Sequence, residues 1–293
     1  MRVDEHLWRV PAQRVRPFVS WYAGYRQAGL DPATHRGLPS PALTFIITLD
    51  EPVVIAAHPD PRQTPGSYDT LIGGLHTTPA LITHDGRQSG IQLAITPLGA
   101  RALLGLPASE VANWDGDAAE VLGAFAAELR ERVLARDSWA ARFTVIDELL
   151  ERRALARAHP AYGSLRAEIG YAWRRLRTAR GAVSVAELAA ETGRSERYLN
   201  SLFRAEVGLA PKAAARVFRF DHARHRIASA AKGWPAQCGV PLADLAAECG
   251  YYDQAHLARE FREMAGCPPT QWLAEEFRFV QAMDGGPPES SGA

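Results

Sequence analysis

Two textures divide the chain. Up to about residue 97, short apolar runs alternate with Gly- and Pro-rich breaks: ALTFIITL (42–49), PVVIAA (52–57), ALITH (80–84) and GIQLAI (90–95). Runs this short and rich in β-branched residues read as strands. Asp50-Glu51 separates the first two runs and Asp85-Gly86 the last two, and such dipeptides read as hairpin turns. The pattern therefore predicts that 42–49 pairs with 52–57, and 80–84 with 90–95. Several short strands with turn signals predict a small barrel or sandwich. From Pro97 onward apolar residues recur at helical spacing, over 98–106, 117–135 and 138–156. A further helix over 162–180 ends in Arg174, Arg175, Arg177 and Arg180 before Gly181 breaks the pattern.

An internal repeat organises the last third. VAELAAETGRSERYLNSLFRAEVGLAP (185–211) and LADLAAECGYYDQAHLAREFREMAGCPP (242–269) share Leu-Ala and Gly at an offset of 57. They share Leu, Phe, Gly and Pro at an offset of 58, so one extra residue sits in the second copy's turn. Each copy reads as helix, tight turn at Gly193 or Gly250, second helix. Ser184 and Glu187 form a capping box that opens the first copy. Leu199, Leu202 and Phe203, or Leu257 and Phe261, form the buried stripes. That leaves Ser195, Glu196, Arg197, Asn200, Ser201 and Arg204 facing out in one copy, and Gln254, Ala255, His256 and Arg259 in the other. These are residue types that read base edges and phosphates: Arg on guanine, Asn or Gln on adenine, Ala on a thymine methyl. Recognition helices present them from their N-terminal halves in a major groove.

On these residues the segment from about 183 to 280 resembles the DNA-binding domain of AraC/XylS transcription regulators. The second copy carries the most specific part, in Leu245-Ala246, Gly250-Tyr251, Asp253-Gln254, Leu257, Arg259, Phe261, Gly266 and Pro268-Pro269. PKAAARVFRFDHARHRIAS (211–229) is similar to the helix that links the family's two helix-turn-helix units, while the spacer 232–241 is longer than usual. The resemblance implies sequence-specific binding of double-stranded DNA, RNA polymerase as a partner, and a preceding domain that binds a small-molecule effector, forms a homodimer, or both. The alternative is a ligand-independent regulator whose N-terminal domain only oligomerises.

The expected fold class is thus α+β. A barrel- or sandwich-like β domain is followed by helices, then by an all-α domain of two helix-turn-helix units on a linker helix. The expected divisions are 1–160 for effector binding or dimerisation, 161–182 as a connecting helix, 183–281 as the DNA-binding domain, and a disordered tail at 284–293. The helices at 117–156 have apolar faces larger than one domain needs, which offers a dimer surface.

Charge adds one local feature. Lys+Arg and Asp+Glu are both 33, yet residues 193–228 hold eight basic side chains against Glu196, Glu206 and Asp221. In that patch Arg204, Arg224 and Arg226 read as phosphate contacts or solvated charges. Glu260 and Glu263 flank the second reading face and are expected to weaken it. No apolar stretch approaches the length of a membrane span, and the charged N-terminus has no signal-peptide core. The expected location is the cytoplasm, with no membrane partner. Three cysteines (Cys238, Cys249, Cys267) without a CxxC pair support neither disulfides nor a zinc ribbon.

Enzyme chemistry finds no foothold: there is no cysteine before Cys238, no GxSxG and no GxxxxGK[ST]. No cofactor is expected, and no metal, because the histidines lack HxH or HxxxxE spacing. For an effector, the candidate contacts in the N-terminal domain are Trp8, Trp21, Tyr22, Tyr25 and Phe45, with His76 and His84 as polar groups. Aromatic residues equally build ordinary cores.

Overall fold

The computed structural model describes residues 2–157, 166–233 and 241–275. Cys238, part of the connecting segment and the expected tail at 284–293 lie outside the described residues.

Among the described residues, ten strands form two open antiparallel sheets that face each other. The larger has the order β1 (Val3–Arg9), β2 (Val19–Ala28), β9 (Gln88–Ile95), β4 (Leu43–Thr48), β7 (Thr70–Gly73), β10 (Asp115–Asp117). The smaller has the order β3 (Ala33–Gly37), β8 (Ala80–His84), β5 (Val53–Ala57), β6 (Gly66–Tyr68). Neither sheet closes on itself, so the sandwich and not the barrel describes the domain.

Both expected hairpins exchange partners. β4 pairs with β9 through Ile46 and Gln92, and β5 pairs with β8 through Ile55 and Ile82. Asp50-Glu51 and Asp85-Gly86 carry the chain from one sheet to the other. A turn dipeptide marks where the chain bends, while the ladder is decided by which apolar faces can be buried together.

Each face of the larger sheet has its own partner. Tyr22, Phe45, Ile47, Ile72, Ile91 and Leu93 alternate onto one face and are fully buried. That face meets α4 (Trp139–Ala156), whose Phe143 stacks on Tyr22 with centroids 5.8 Å apart. On the other face Ile46 and Leu71 meet Ile55 of the smaller sheet in a separate small cluster. The helix expected over 117–135 is two, α2 (Ala118–Leu122) and α3 (Ala124–Leu134), with the break at Gly123. With α1 (Pro97–Leu103), whose first turn is capped by Thr96, they complete the layer. The apolar face read as a dimer surface is largely used inside the domain: α4 buries Phe143, Val145, Ile146, Leu149 and Leu150.

The C-terminal domain comprises α5 (Ala167–Thr178), α6 (Val185–Glu191), α7 (Glu196–Val207), α8 (Pro211–Gly233), α9 (Leu242–Glu248), α10 (Gln254–Ala265) and a turn of helix over 269–275. One apolar core runs unbroken from Val15 in the first domain to Trp272 in the second. Polar contacts fasten the two together: the Arg101 guanidinium donates twice to Glu206, at 2.9 Å each, and the Ser109 hydroxyl donates to the Ala205 carbonyl at 2.6 Å. Both Glu206 and Ala205 lie in the last turn of α7. Among the described residues no helix is long and apolar enough to cross a membrane.

Candidate nucleic-acid interface and the cavity behind it

The two helix-turn-helix units are built alike, from local signals. Ser184 and Glu187 make the reciprocal capping box that opens α6. The turns need a left-handed residue, and Gly193 (φ 64°) and Gly250 (φ 75°) supply it without a Cβ to clash. Ser195 then caps α7 and Asp253 caps α10 through their side-chain oxygens. Leu188 and Ala189 face Leu199 and Phe203 in the first unit, all buried; Leu245, Ala246, Leu257 and Phe261 repeat this in the second.

The outward residues divide by what they already hold. Glu196, Arg197, Ser201 and Arg204 are exposed on α7, with Arg197, Ser201 and Arg204 on one stripe. Asn200 is half-buried and its amide donates to the Glu196 carbonyl at 3.0 Å. Ser195 spends its hydroxyl on the cap. On α10, Gln254, Ala255 and Arg259 are exposed. His256 is half-buried, lies edge-on to Tyr251 at 5.2 Å, and accepts from the Tyr252 N–H through Nδ1. Sequence reasoning missed two groups here. Arg262 continues the stripe of Ala255 and Arg259, one turn further along α10. Tyr252 is 93% exposed beside the start of α10, and its only sequence signal was an aromatic in a turn.

Ion pairs select among the arginines. Arg194 bonds Glu168, Arg224 bonds Asp221 and Arg226 bonds Glu248. Arg216 and Arg219 both bond Glu260, which is 4% exposed, and Arg216 also bonds Glu263. One sequence expectation is corrected by this, and a second gains detail. Glu260 does not flank the reading face but lies buried against α8, because its position on α10 is the one turned toward the linker helix. Arg224 and Arg226 are held by carboxylates within the protein. Among the side chains described from 185 to 265, the basic ones outside any ion pair are Arg197, Arg204, Lys212, Arg259 and Arg262. Four of these five stand on the outer faces of α7 and α10.

Behind this surface, between the two sheets, lies a cavity of about 200 Å³. Its floor is apolar, from Ile46, Ile55, Leu71 and Ile82. One wall comes from the other domain: Arg224, His225 and Ala228 of α8, with Trp272. Of the expected effector contacts, Trp21, Tyr25 and His76 line it. His84 lines a second cavity that shares Tyr25, Val53, Ile82 and Gln88 with the first. Trp8 sits behind Trp21, edge-on at 4.6 Å. Tyr22 and Phe45 point to the opposite face and touch neither cavity.

Tyr22 has a structural task there. Its hydroxyl donates to Asp147 at 2.9 Å, and the same carboxylate accepts the Ala12 N–H. Burial and the neighbouring Asp147 charge push the Tyr22 phenol far up. Tyr22→Phe is expected to cost ~1–3 kcal/mol of stability in a urea titration. Cavity-lining residues that sequence reasoning did not single out as contacts include His6, His35, Thr44 and Gln92, none of which carries a local signal for a cavity. Burial, with the nearby His84, pushes His35 down to about 4.

Residues 188–275 match the family model of a helix-turn-helix domain. No curated protein is similar in sequence. Among solved structures, the apo form of a ToxT variant from Vibrio cholerae superposes with a TM-score of 0.51 at 10% identity, covering 91% of this chain and 99% of that one. Wild-type ToxT from the same organism with an unsaturated fatty acid bound gives 0.49 at 9% identity, over 94% and 98%. The AraC-like transcriptional activator CuxR gives 0.29 at 12% identity, over 72% and 84%. The fold and the interface thus define a two-domain protein with a C-terminal DNA-binding helix-turn-helix domain. That C-terminal domain is a helix-turn-helix domain of the AraC type.

Proposed function

We infer that this protein is a one-component sensor: it reads DNA through α7 and α10, and an effector held between the sheets biases how those helices are presented. The observation that carries this reading is the cavity's shared wall. Arg224, His225 and Ala228 belong to α8, and α8 packs against α7, α9 and α10. Any occupant therefore touches the element on which both recognition helices rest. It needs only to bind one arrangement better than another to shift their populations. Action is by binding alone, in the cytoplasm. RNA polymerase and a second copy of the chain are the proposed partners on DNA.

Selection of bound duplexes from a random library by the full chain tests the DNA half. A motif with two half-elements about one helical turn (~34 Å) apart is expected, from successive major grooves. Retention without any motif would sink the reading. Dye binding, described below, tests the effector half.

The ion pairs also set the salt dependence. Among the side chains described from 185 to 265, five basic ones stand outside internal pairs, and each phosphate neutralised adds about 0.9 to the slope of log K against log salt. A slope of about −4 to −5 is expected in binding isotherms; one near −10 would mean that the internal pairs open on DNA.

A further inference from the structure

The cavity wall separates its charged from its uncharged groups. Arg36, Arg224 and Asp115 on it each meet an opposite or titratable partner. Arg36 bonds Glu275 at 2.7 Å, and Arg224 holds Asp221 through Nε and Nη2 at 2.9 and 2.7 Å. Asp115 faces His58, 3.5 Å away. Gln88 is satisfied too, donating to Gln27. Three lining groups differ. The Thr44 hydroxyl, the Gln92 amide and the Tyr25 hydroxyl have no hydrogen-bond partner among the described residues. They stand on β4, β9 and β2, on the face of the larger sheet that meets the smaller one, where Gln92 lies opposite Ile46 and Ala23.

We propose that this site takes an uncharged effector with an apolar body, held by hydrogen bonds from Thr44, Gln92 and Tyr25. An apolar floor offers no compensation to a bare charge, and burying one without a partner is strongly unfavourable. An anion would have to pull Arg36 from Glu275 or Arg224 from Asp221, leaving a carboxylate unpaired in its place. A neutral molecule meets three vacant hydrogen-bonding groups and breaks nothing. Burial holds the His35 and His76 imidazoles below their ordinary pKa, so they add no cation at neutral pH.

This inference rests on the sensor reading, and a matched pair of probes separates the two. N-phenyl-1-naphthylamine and 1-anilinonaphthalene-8-sulfonate share one aromatic frame and differ by a sulfonate. Fluorescence titration of the full chain is expected to show the uncharged dye bound at least about tenfold tighter. Gln92→Leu, which keeps the side chain's volume, is expected to weaken it about threefold or more, and Thr44→Phe, which fills the cavity, to abolish it. Should Thr44→Phe not fold, Gln92→Leu carries the test. Equal or tighter binding of the sulfonate, lost in Arg36→Gln or Arg224→Gln, overturns the uncharged class and leaves the sensor reading standing. If neither dye binds, both fall.

Discussion

Replacing Glu260 by Ala is expected to destabilise the C-terminal domain by about 3–5 kcal/mol, the cost of breaking a buried pair from one side. The carboxylate is 4% exposed and takes Nε of Arg216 at 2.9 Å and both Nε and Nη2 of Arg219 at 3.1 and 2.7 Å. Arg219 also lies over the Tyr251 ring, 5.0 Å from its centroid. With Glu260 gone, Arg219 keeps its burial and loses its counter-charge, and Arg216 is left with Glu263 alone. Arg216 is about a third exposed, and water there brings the expected value toward the low end. Glu263→Ala is the control. It removes only a rim carboxylate, so less than about 1 kcal/mol is expected. Urea midpoints at unchanged slope would report both; equal small losses would mean that α8 and α10 are held by packing alone.

The same pair gives the domain an acid limit. Burial alone would raise the Glu260 pKa, but hydrogen bonds from Arg219 and Arg216 outweigh it and hold the group below its ordinary 4.5. The unfolded chain therefore takes up this proton at a higher pH than the folded one. The stabilisation is complete above the unfolded value and is lost as pH falls through the folded value. Urea midpoints measured from about pH 7 to 3 should fall on the acid side, and Glu260→Gln should flatten that fall.

The helical third was legible because its determinants are local. Caps, turn glycines and apolar stripes lie within a few residues of each other, and even the change of offset is real: α6 and α9 begin 57 residues apart, α7 and α10 58 apart. Strand positions were legible too, while their partners were not, since Ile46 meets Gln92 only once both sheets assemble. Nothing near Glu260 in sequence announces Arg216 and Arg219, 44 and 41 residues away. The cavity depended on parity, which residue type does not reveal. Tyr22 and Tyr25 lie three apart in one strand and so face opposite sides, one against α4 and one into the cavity. Phe45 looked like a ligand contact, yet its neighbour Thr44 has the inward position.

Arg197→Ala and Arg259→Ala are each expected to cost roughly 1–3 kcal/mol of specific DNA affinity, concentrated at one base position per half-element. Both side chains are exposed, neither is tied to a carboxylate, and both sit in the N-terminal halves of their helices, the part that enters a major groove. The pair should be close to additive, within ~0.5 kcal/mol, because each belongs to a separate unit. Arg226→Ala is the contrast: its guanidinium is already held by Glu248, so it has less to give a phosphate. Competition with random duplex distinguishes the roles. A base reader loses affinity for the selected motif and little for random DNA, with the salt slope unchanged. A phosphate contact loses both alike and shallows the slope by about 0.9. If Arg259 behaves in the second way and Arg197 in the first, the first unit carries the sequence information and the second the grip. The cause could not then be Glu260, which faces α8 and not the DNA; it would be the short, uncharged start of α10, where Gln254 and Ala255 stand in place of a second arginine.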